Sequence, residues 1–414
     1  MDFEDSPEEA AFRAEVRTWL DANARRRDGK RDRLVDELET AAGDELAASR
    51  AWQKTKAKAG YARITWPRGM GGIGGTPMQS IIFGQEEGKY DVATGAPFAI
   101  GLGMCIPTLT TYGSDEAKKR YVWPAVQGDE IWCQLFSEPA GGSDVANLRT
   151  KAEKGEDGAW TINGSKIWTT GAQFSDYGIL LTRTDPHVPK HKGLTMFYLS
   201  MKAPGVDIRP IKQASGNSGF NEIFFTDVKL PDSQRLGEVG QGWQVALTTL
   251  MHERLAVGGG QGGGLDVPQL MALARELELE DGPAIRNAAV REKIADWYVR
   301  SAGLKYTTFR TMTALSQGKQ PGPEASIAKI VVASKLQDLS AFAMDLEGEA
   351  GILQGPDAPM QGAFQGGWLG APGLRIAGGT DEILRNIIAE RVLGLPGDIR
   401  VDKDVPFNKI PTGR

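Results

Sequence analysis

Residues 159–170 read AWTINGSKIWTT, and the texture of the chain changes around them. Two short runs, Ala159-Trp160-Thr161-Ile162 and Lys166-Ile167-Trp168-Thr169, are rich in β-branched and aromatic residues. Between them Asn163-Gly164 suits the type I′ turn of a β-hairpin. Downstream, residues 177–181, 194–199, 206–211 and 222–228 are apolar or alternating runs separated by Gly, Pro and Asp. This spacing predicts a mostly antiparallel β unit.

Helical patterning flanks that unit on both sides. Ser6-Pro7-Glu8-Glu9 has the form of a capping box with Pro at the first helical position, and Phe12, Val16, Trp19 and Leu20 follow at helical spacing. Residues 24–50 are charged and Ala-rich and read as solvated helix or loop; residues 61–77 are a turn-rich connection. Residues 78–127 return to helical spacing with breaks at Pro107 and Gly113. From Gly240 onward the 3.6-residue period recurs in 242–256, 283–317, 325–348 and 379–394. The expected class is α+β: an N-terminal α-helical domain over 1–130, a middle antiparallel β-domain over 131–240 and a C-terminal α-helical domain over 241–414.

Composition bounds the function. With 48 basic against 53 acidic residues the formal charge is -5, which argues against a nucleic-acid partner. No run of about 18 apolar residues is present, so no membrane span is expected. The start MDFEDSPEEAAF is acidic where a signal peptide is basic, and two cysteines are too few for a disulfide framework. The expectation is a cytoplasmic protein.

Three tempting patterns have plain readings. Gly69-Gly71-Gly74 and Gly258-Gly260-Gly263 satisfy G-x-G-x-x-G, but neither follows a predicted strand, so they read as bends or close-packing sites. His187 and His191 are four apart beside Pro186 and Pro189, which disfavour a helix, so they read as exposed loop histidines rather than metal ligands. Cys133 reads as a small apolar strand residue.

The loop at 133–144, CQLFSEPAGGSD, is more specific: Ala140, Gly141 and Gly142 permit close backbone approach to a ligand, and Ser137 and Ser143 supply hydroxyls. Together with NGSKIWTTG at 163–171 and GGTDEILRNIIAERVLGL at 378–395, it resembles the three signatures of the acyl-CoA dehydrogenases, in family order. The resemblance covers nearly the whole chain and extends to actinobacterial members. It implies a C-terminal four-helix bundle and FAD as cofactor. By that resemblance Phe136 and Ser137 would contact the flavin ring, Trp168 would pack on it and Thr170 would hydrogen-bond near N5. Gly142, Thr169, Thr380, Asp381 and Glu382 would complete the flavin contacts, and Ser143 would sit by the diphosphate and the CoA thread.

The family normally carries a Glu directly before Gly-Thr in the last signature; here that position is Gly378. Met251-His252-Glu253-Arg254-Leu255 offers a carboxylate where isovaleryl- and long-chain-type members carry theirs. Its neighbours Leu247, Leu250, Met251, Leu255 and Ala256 predict a packed setting, in which desolvation raises a carboxyl pKa toward that of a working base, while Arg254 pulls the other way. Glu253 is therefore the expected base, with Met251, His252, Arg254, Gly378 and Gly379 around the substrate. Gly378 would offer its backbone N–H to the thioester carbonyl.

The implied reaction is α,β-dehydrogenation of an acyl-CoA thioester to a trans-2-enoyl-CoA, in lipid catabolism, with electrons passing to an electron-transferring flavoprotein. Bulky acyl groups are expected, since Gly378 leaves space. Rival readings are an acyl-CoA oxidase, a flavin monooxygenase of the same fold and a non-catalytic subunit. The groups with which family homotetramers clamp a neighbour's FAD are altered: Ala288 and Asp345 stand at expected Gln positions, and Arg286 is offset. An oligomer is expected, either of one chain or mixed with a paralogous subunit.

Overall fold

Trp160–Thr170 is a single strand of 11 residues, not a hairpin. It pairs antiparallel along Phe220–Leu230, with register shifts between Ile162 and Gly164 and between Lys166 and Thr169. The expected turn at Asn163-Gly164 is thus an irregularity within a strand. Gly164 has φ 145°, and a Cβ there would lie 2.7 Å from the Cα of Thr150, so close strand approach explains the glycine. The hairpin lies one turn earlier, where Lys151–Lys154 pairs back onto Trp160–Thr170 through Gly155–Gly158.

The chain, taken as a computed structural model, is described over residues 5–27, 43–258, 265–316, 322, 326–355, 357–397, 399 and 402–411. It divides into two compact units. One comprises residues 40–75, 93–256 and 397–414; the other comprises 1–39, 76–92 and 257–396.

In the first unit the sheet strands are β3 (Trp132–Leu135), β4 (Lys151–Lys154), β5 (Trp160–Thr170), β6 (Tyr177–Arg183), β7 (Leu194–Ser200), β8 (Val206–Ile211), β9 (Phe220–Leu230) and β10 (Arg235–Leu236); β1 (Arg25–Arg26) and β2 (Tyr90–Asp91) form a separate ladder in the other unit. The order is β10-β7-β6-β4-β5-β9-β8, with β3 parallel to β6. Central strands β6 and β7 are buried almost throughout, as strands covered on both faces must be. Successive β6 side chains therefore enter different cores. Ile179 and Leu181 pack with Ile106, Leu109 and Val126 of the helices, whereas Leu180 joins Phe197, Leu199 and Ile223. Cys133 lies wholly buried on β3, as expected.

Pro107 does not break its helix. It occupies the first turn of Ile106–Tyr112, which follows a π-helical turn at Gly101–Cys105, and the helix ends at Gly113. Gly69 lies in the 3-10 turn Arg68–Met70, which Gly71 caps, and no strand directly precedes the cluster although helix Pro77–Glu87 begins three residues after Gly74; Gly260 and Gly263 lie outside the described residues.

The second unit is helical. The capping box at Ser6 and Glu9 opens Pro7–Asn23 as read from sequence. Helices Ala288–Ser316, Ser326–Glu347 and Asp381–Arg391 fall within their predicted spans, while Val267–Glu276 and Ala363–Ile376 were not foreseen. Leu270, Leu273, Trp297, Leu339 and Phe364 form their core. Helix Pro7–Asn23 is pinned to Pro77–Glu87 by the buried Glu86 carboxylate, which meets Arg13 at 3.0 Å, Arg17 at 2.9 Å and Lys89 at 2.8 Å. No helix among the described residues is long and apolar enough to cross a membrane.

Candidate active site

In the sheet unit, β3 runs into the loop Phe136–Ser143, and the loop is fixed from below. Glu138 and Gly141 exchange backbone hydrogen bonds of 3.1 and 3.0 Å. The buried Glu138 carboxylate accepts from the Arg149 and Thr150 N–H groups, at 2.6 and 2.9 Å, and from Lys166 Nζ at 2.8 Å. Lys166, fully buried, donates a second bond to the Phe136 carbonyl at 3.0 Å. Ile167 N–H then donates to the Ser137 carbonyl at 2.9 Å, which ties the loop to β5. Burial brings the Lys166 ammonium down to about 8, against the pull of Glu138. Burial also pushes the Glu138 carboxyl up, but Lys166 and the N–H donors hold it below the ordinary range. Neither residue was singled out from sequence; the one signal was a lysine among the apolar positions of a strand.

The second register shift of β5 displays Trp168. Its φ is 61°, in the left-handed region that few non-glycine residues adopt, and its ring is 55% exposed. It stands edge-on to Phe220 at 6.1 Å. Thr170 is exposed, as are Gly142 and Ser143, and Ser137 is half-buried. Phe136 and Thr169 differ: both side chains are buried, Phe136 within the helix-side core. The Phe136 side chain is therefore not open to a ligand, and its carbonyl is taken by Lys166. The Thr169 hydroxyl has no hydrogen-bond partner among the described residues, and the Thr169 carbonyl accepts from Asn221.

Helix Gly242–Gly258 carries the candidate base. The side chains of Glu253 and Arg254 lie outside the described residues. Of the expected packed neighbours, Leu250 packs against the core while Leu247 is 44% and Met251 60% exposed; the side chains of Leu255 and Ala256 lie outside the described residues. His252 is half-buried, and burial, then the nearby Arg63 charge, lowers its pKa. Arg63 was not foreseen. It lies over the Trp66 ring, its Nε has no partner among the described residues, and burial lowers its pKa to about 10.

In the helical unit, Gly378 and Gly379 both take left-handed backbone, with φ 66° and 97°. Thr380 caps helix Asp381–Arg391 by accepting from Ile383 N–H at 3.3 Å. Asp381 is buried between Arg375 at 2.7 Å and Lys329 at 3.5 Å, and Lys329 also donates to the Gly379 carbonyl at 2.6 Å. Burial pushes the Asp381 carboxyl up, but Arg375 and Lys329 outweigh this and lower it. Asp381 thus holds the turn, while Glu382 is exposed. Asp345 and Glu349 are exposed, but Glu347 turns inward to accept from Gln365 Nε2 at 2.7 Å.

The two histidines are both engaged. His187 is exposed and shares a 3.0 Å hydrogen bond with Asn408; His191, expected to be exposed, is half-buried and stands edge-on to Trp243 at 4.7 Å.

Comparison with known proteins identifies the family. The chain matches the family descriptions "Acyl-CoA dehydrogenase, N-terminal domain" over 6–129, "middle domain" over 133–228 and "C-terminal domain" over 240–393. It is 34% identical to acyl-CoA dehydrogenase IpdE1 of Mycolicibacterium smegmatis, over 94% of this chain and 98% of that protein. It is 33% identical to acyl-CoA dehydrogenase FadE34 of Mycobacterium tuberculosis over 89% of this chain, but spans only 51% of that protein's length. Among solved structures it is similar to the "Tcur3481-Tcur3483 steroid ACAD" (26% identity, TM-score 0.79, 96% of this chain and 100% of the other). It is also similar to the ChsE4-ChsE5 complex of Mycobacterium tuberculosis (25%, TM-score 0.75, 96% and 100%). The chain belongs to the acyl-CoA dehydrogenase family, whose members are flavoprotein oxidoreductases. The residues present fit FAD: an exposed Trp168 ring, exposed hydroxyls at Ser143 and Thr170, and open space where Gly142 would carry a Cβ.

Proposed function

We propose that this chain dehydrogenates an acyl-CoA thioester across Cα–Cβ, and that Glu253 takes the α-proton. The observation that carries the reading is the turn at Gly378: the position of the family's usual Glu has no side chain, and its left-handed backbone favours glycine. Glu253, on helix Gly242–Gly258, is the carboxylate at the family's alternative position. When bound, FAD would supply the hydride acceptor for the β-hydrogen, so that a trans double bond is left, with an electron-transferring flavoprotein as the proposed electron acceptor. Ser137, Trp168 and Thr170 would position the flavin ring. The Gly378 N–H would polarise the thioester carbonyl as the α-proton leaves.

The acyl group is proposed to be bulky. The absence of a side chain at Gly378 supports this, as does similarity to a structure described as a "steroid ACAD". A screen of acyl-CoA thioesters for anaerobic bleaching of the flavin tests it. Ring-bearing thioesters are expected to bleach, and preference for butyryl-CoA over every bulky thioester would refute the substrate reading. Hydrogen peroxide release with turnover would mark an oxidase instead. Glu253→Gln should retain FAD and cut turnover by about 10³-fold or more, the scale of a lost general base; a variant keeping a tenth of wild-type activity means another group is the base.

Assembly is proposed to be with a paralogous chain. Ala288 and Asp345 stand where FAD-clamping groups are expected, and both similar structures are described by two protein names. Exposed apolar side chains at Trp368, Leu374, Ile376, Leu393 and Leu395 supply surface for a partner. One FAD per chain in a stable homo-oligomer would overturn this.

A further inference from the structure

Residues 402–411, beyond the end of the family match at 393, are held within the sheet unit. Phe407 and Asn408 N–H groups donate to the Val188 and Pro186 carbonyls, each at 2.9 Å. Lys190 pairs with Asp402 at 2.6 Å and with Asp144 at 2.8 Å, so the tail is fastened to the segment that follows β6 and to the end of the 136–144 loop. Between the tail and the edge of β4 lies a cavity of about 570 Å³. This is within the range that holds small organic ligands.

The walls of the cavity are of two kinds. Arg149, Lys151 and Arg183 bring positive charge, and the only acid on the lining, Glu153, is paired with Lys151 at 3.0 Å. Phe407, Ile410 and Pro186 bring apolar surface. Arg183 is 5% exposed. Its nitrogens donate to the carbonyls of Leu148, Lys190 and Ala146, and its guanidinium lies 3.6 Å from the Phe407 ring centre. Among the described residues no carboxylate meets it within ion-pair distance. A buried guanidinium without a paired anion is costly, and an anion delivered to this wall offsets that cost.

We propose that the tail completes a binding pocket for a phosphorylated adenine nucleotide, with phosphate toward Arg149, Lys151 and Arg183 and the base against Phe407 and Ile410. Guanidinium groups match phosphate geometry, and the aromatic wall suits a planar base. Ala140 of the 136–144 loop also lines the cavity, so on the acyl-CoA reading the source is the nucleotide end of the thioester's CoA. The pocket itself does not depend on that reading; a free nucleotide carries the same chemistry.

The test uses the FAD-loaded full chain and adenosine 3′,5′-bisphosphate as probe. Saturable binding is expected, weakened at least about tenfold in the double variant Arg149→Ala, Lys151→Ala, whose side chains are both exposed. Phe407→Ala should weaken it too, with FAD content unchanged. Displacement of the probe by CoA identifies the thioester's own nucleotide; binding that CoA does not displace identifies a free nucleotide, and the pocket stands in both cases. Absence of saturable binding, or binding indifferent to the double variant and to Phe407→Ala, overturns the proposal. If no thioester bleaches the flavin while the bisphosphate still binds at these residues, the enzymatic reading fails and the pocket survives.

Discussion

Two turns carry the candidate residues, and each is held by a buried carboxylate, but in different surroundings. Under the 136–144 loop, Glu138 and Lys166 are 7% and 0% exposed. Under the Gly378 turn, Asp381 is 3% exposed, yet its partners Lys329 and Arg375 are 13% and 42% exposed. The first pair has no water to fall back on; the second divides its charge between an inner and an outer cation.

The largest effect should come from Lys166→Met, which strands the Glu138 carboxylate. Breaking a buried pair costs about 3–5 kcal/mol, so urea unfolding should shift by that amount and FAD should be lost with the loop's geometry. A loss below about 1 kcal/mol, the range of surface pairs, would erase the contrast between the two turns.

A second effect depends on pH and belongs to the helical unit. Burial pushes the Glu86 carboxyl up, but hydrogen bonds from Arg17, Lys89 and Arg13 prevail and hold it at about 2, below its ordinary 4.5. In that interval the unfolded chain binds the extra proton, so stability present above about 4.5 is lost as pH falls toward 2. Thermal unfolding followed across this window should steepen with acid in wild type, and Glu86→Gln should flatten the dependence.

Gly378→Ala should be milder: a side chain at φ 66° costs about 1–2 kcal/mol, with little change in FAD content. An unchanged midpoint would mean the turn relaxes. Arg375→Ala should be the smallest of the four, because Lys329 remains beside Asp381; a midpoint shift matching that of Lys166→Met would show the outer cation to be as important as the buried one.

What could be read beforehand followed from local chemistry. The Ser6–Glu9 capping box and β8 at Val206–Ile211 stood in the sequence because their causes are neighbours in the chain. The Asn163-Gly164 turn was misread because Gly164 answers to Thr150, a constraint from another strand. Helix Ala363–Ile376 was hidden by Pro372 and four glycines, and tertiary packing of Phe364 and Ala371 overrides their low propensity. The loop residues proposed for the site stand out as motifs in the sequence. The Glu138–Lys166 pair was not, since its partners lie 28 positions apart and neither looks unusual alone.

The alternation along β6 makes adjacent residues separate witnesses. Isotope-labelled methyls at Leu180 and Leu181 sit one position apart, yet one senses the strand-lined core and the other the helix-lined core. Binding that reorganises only the helix-lined side would shift the Leu181 resonance and leave Leu180 still, so a single labelled dipeptide resolves which face of the sheet responds.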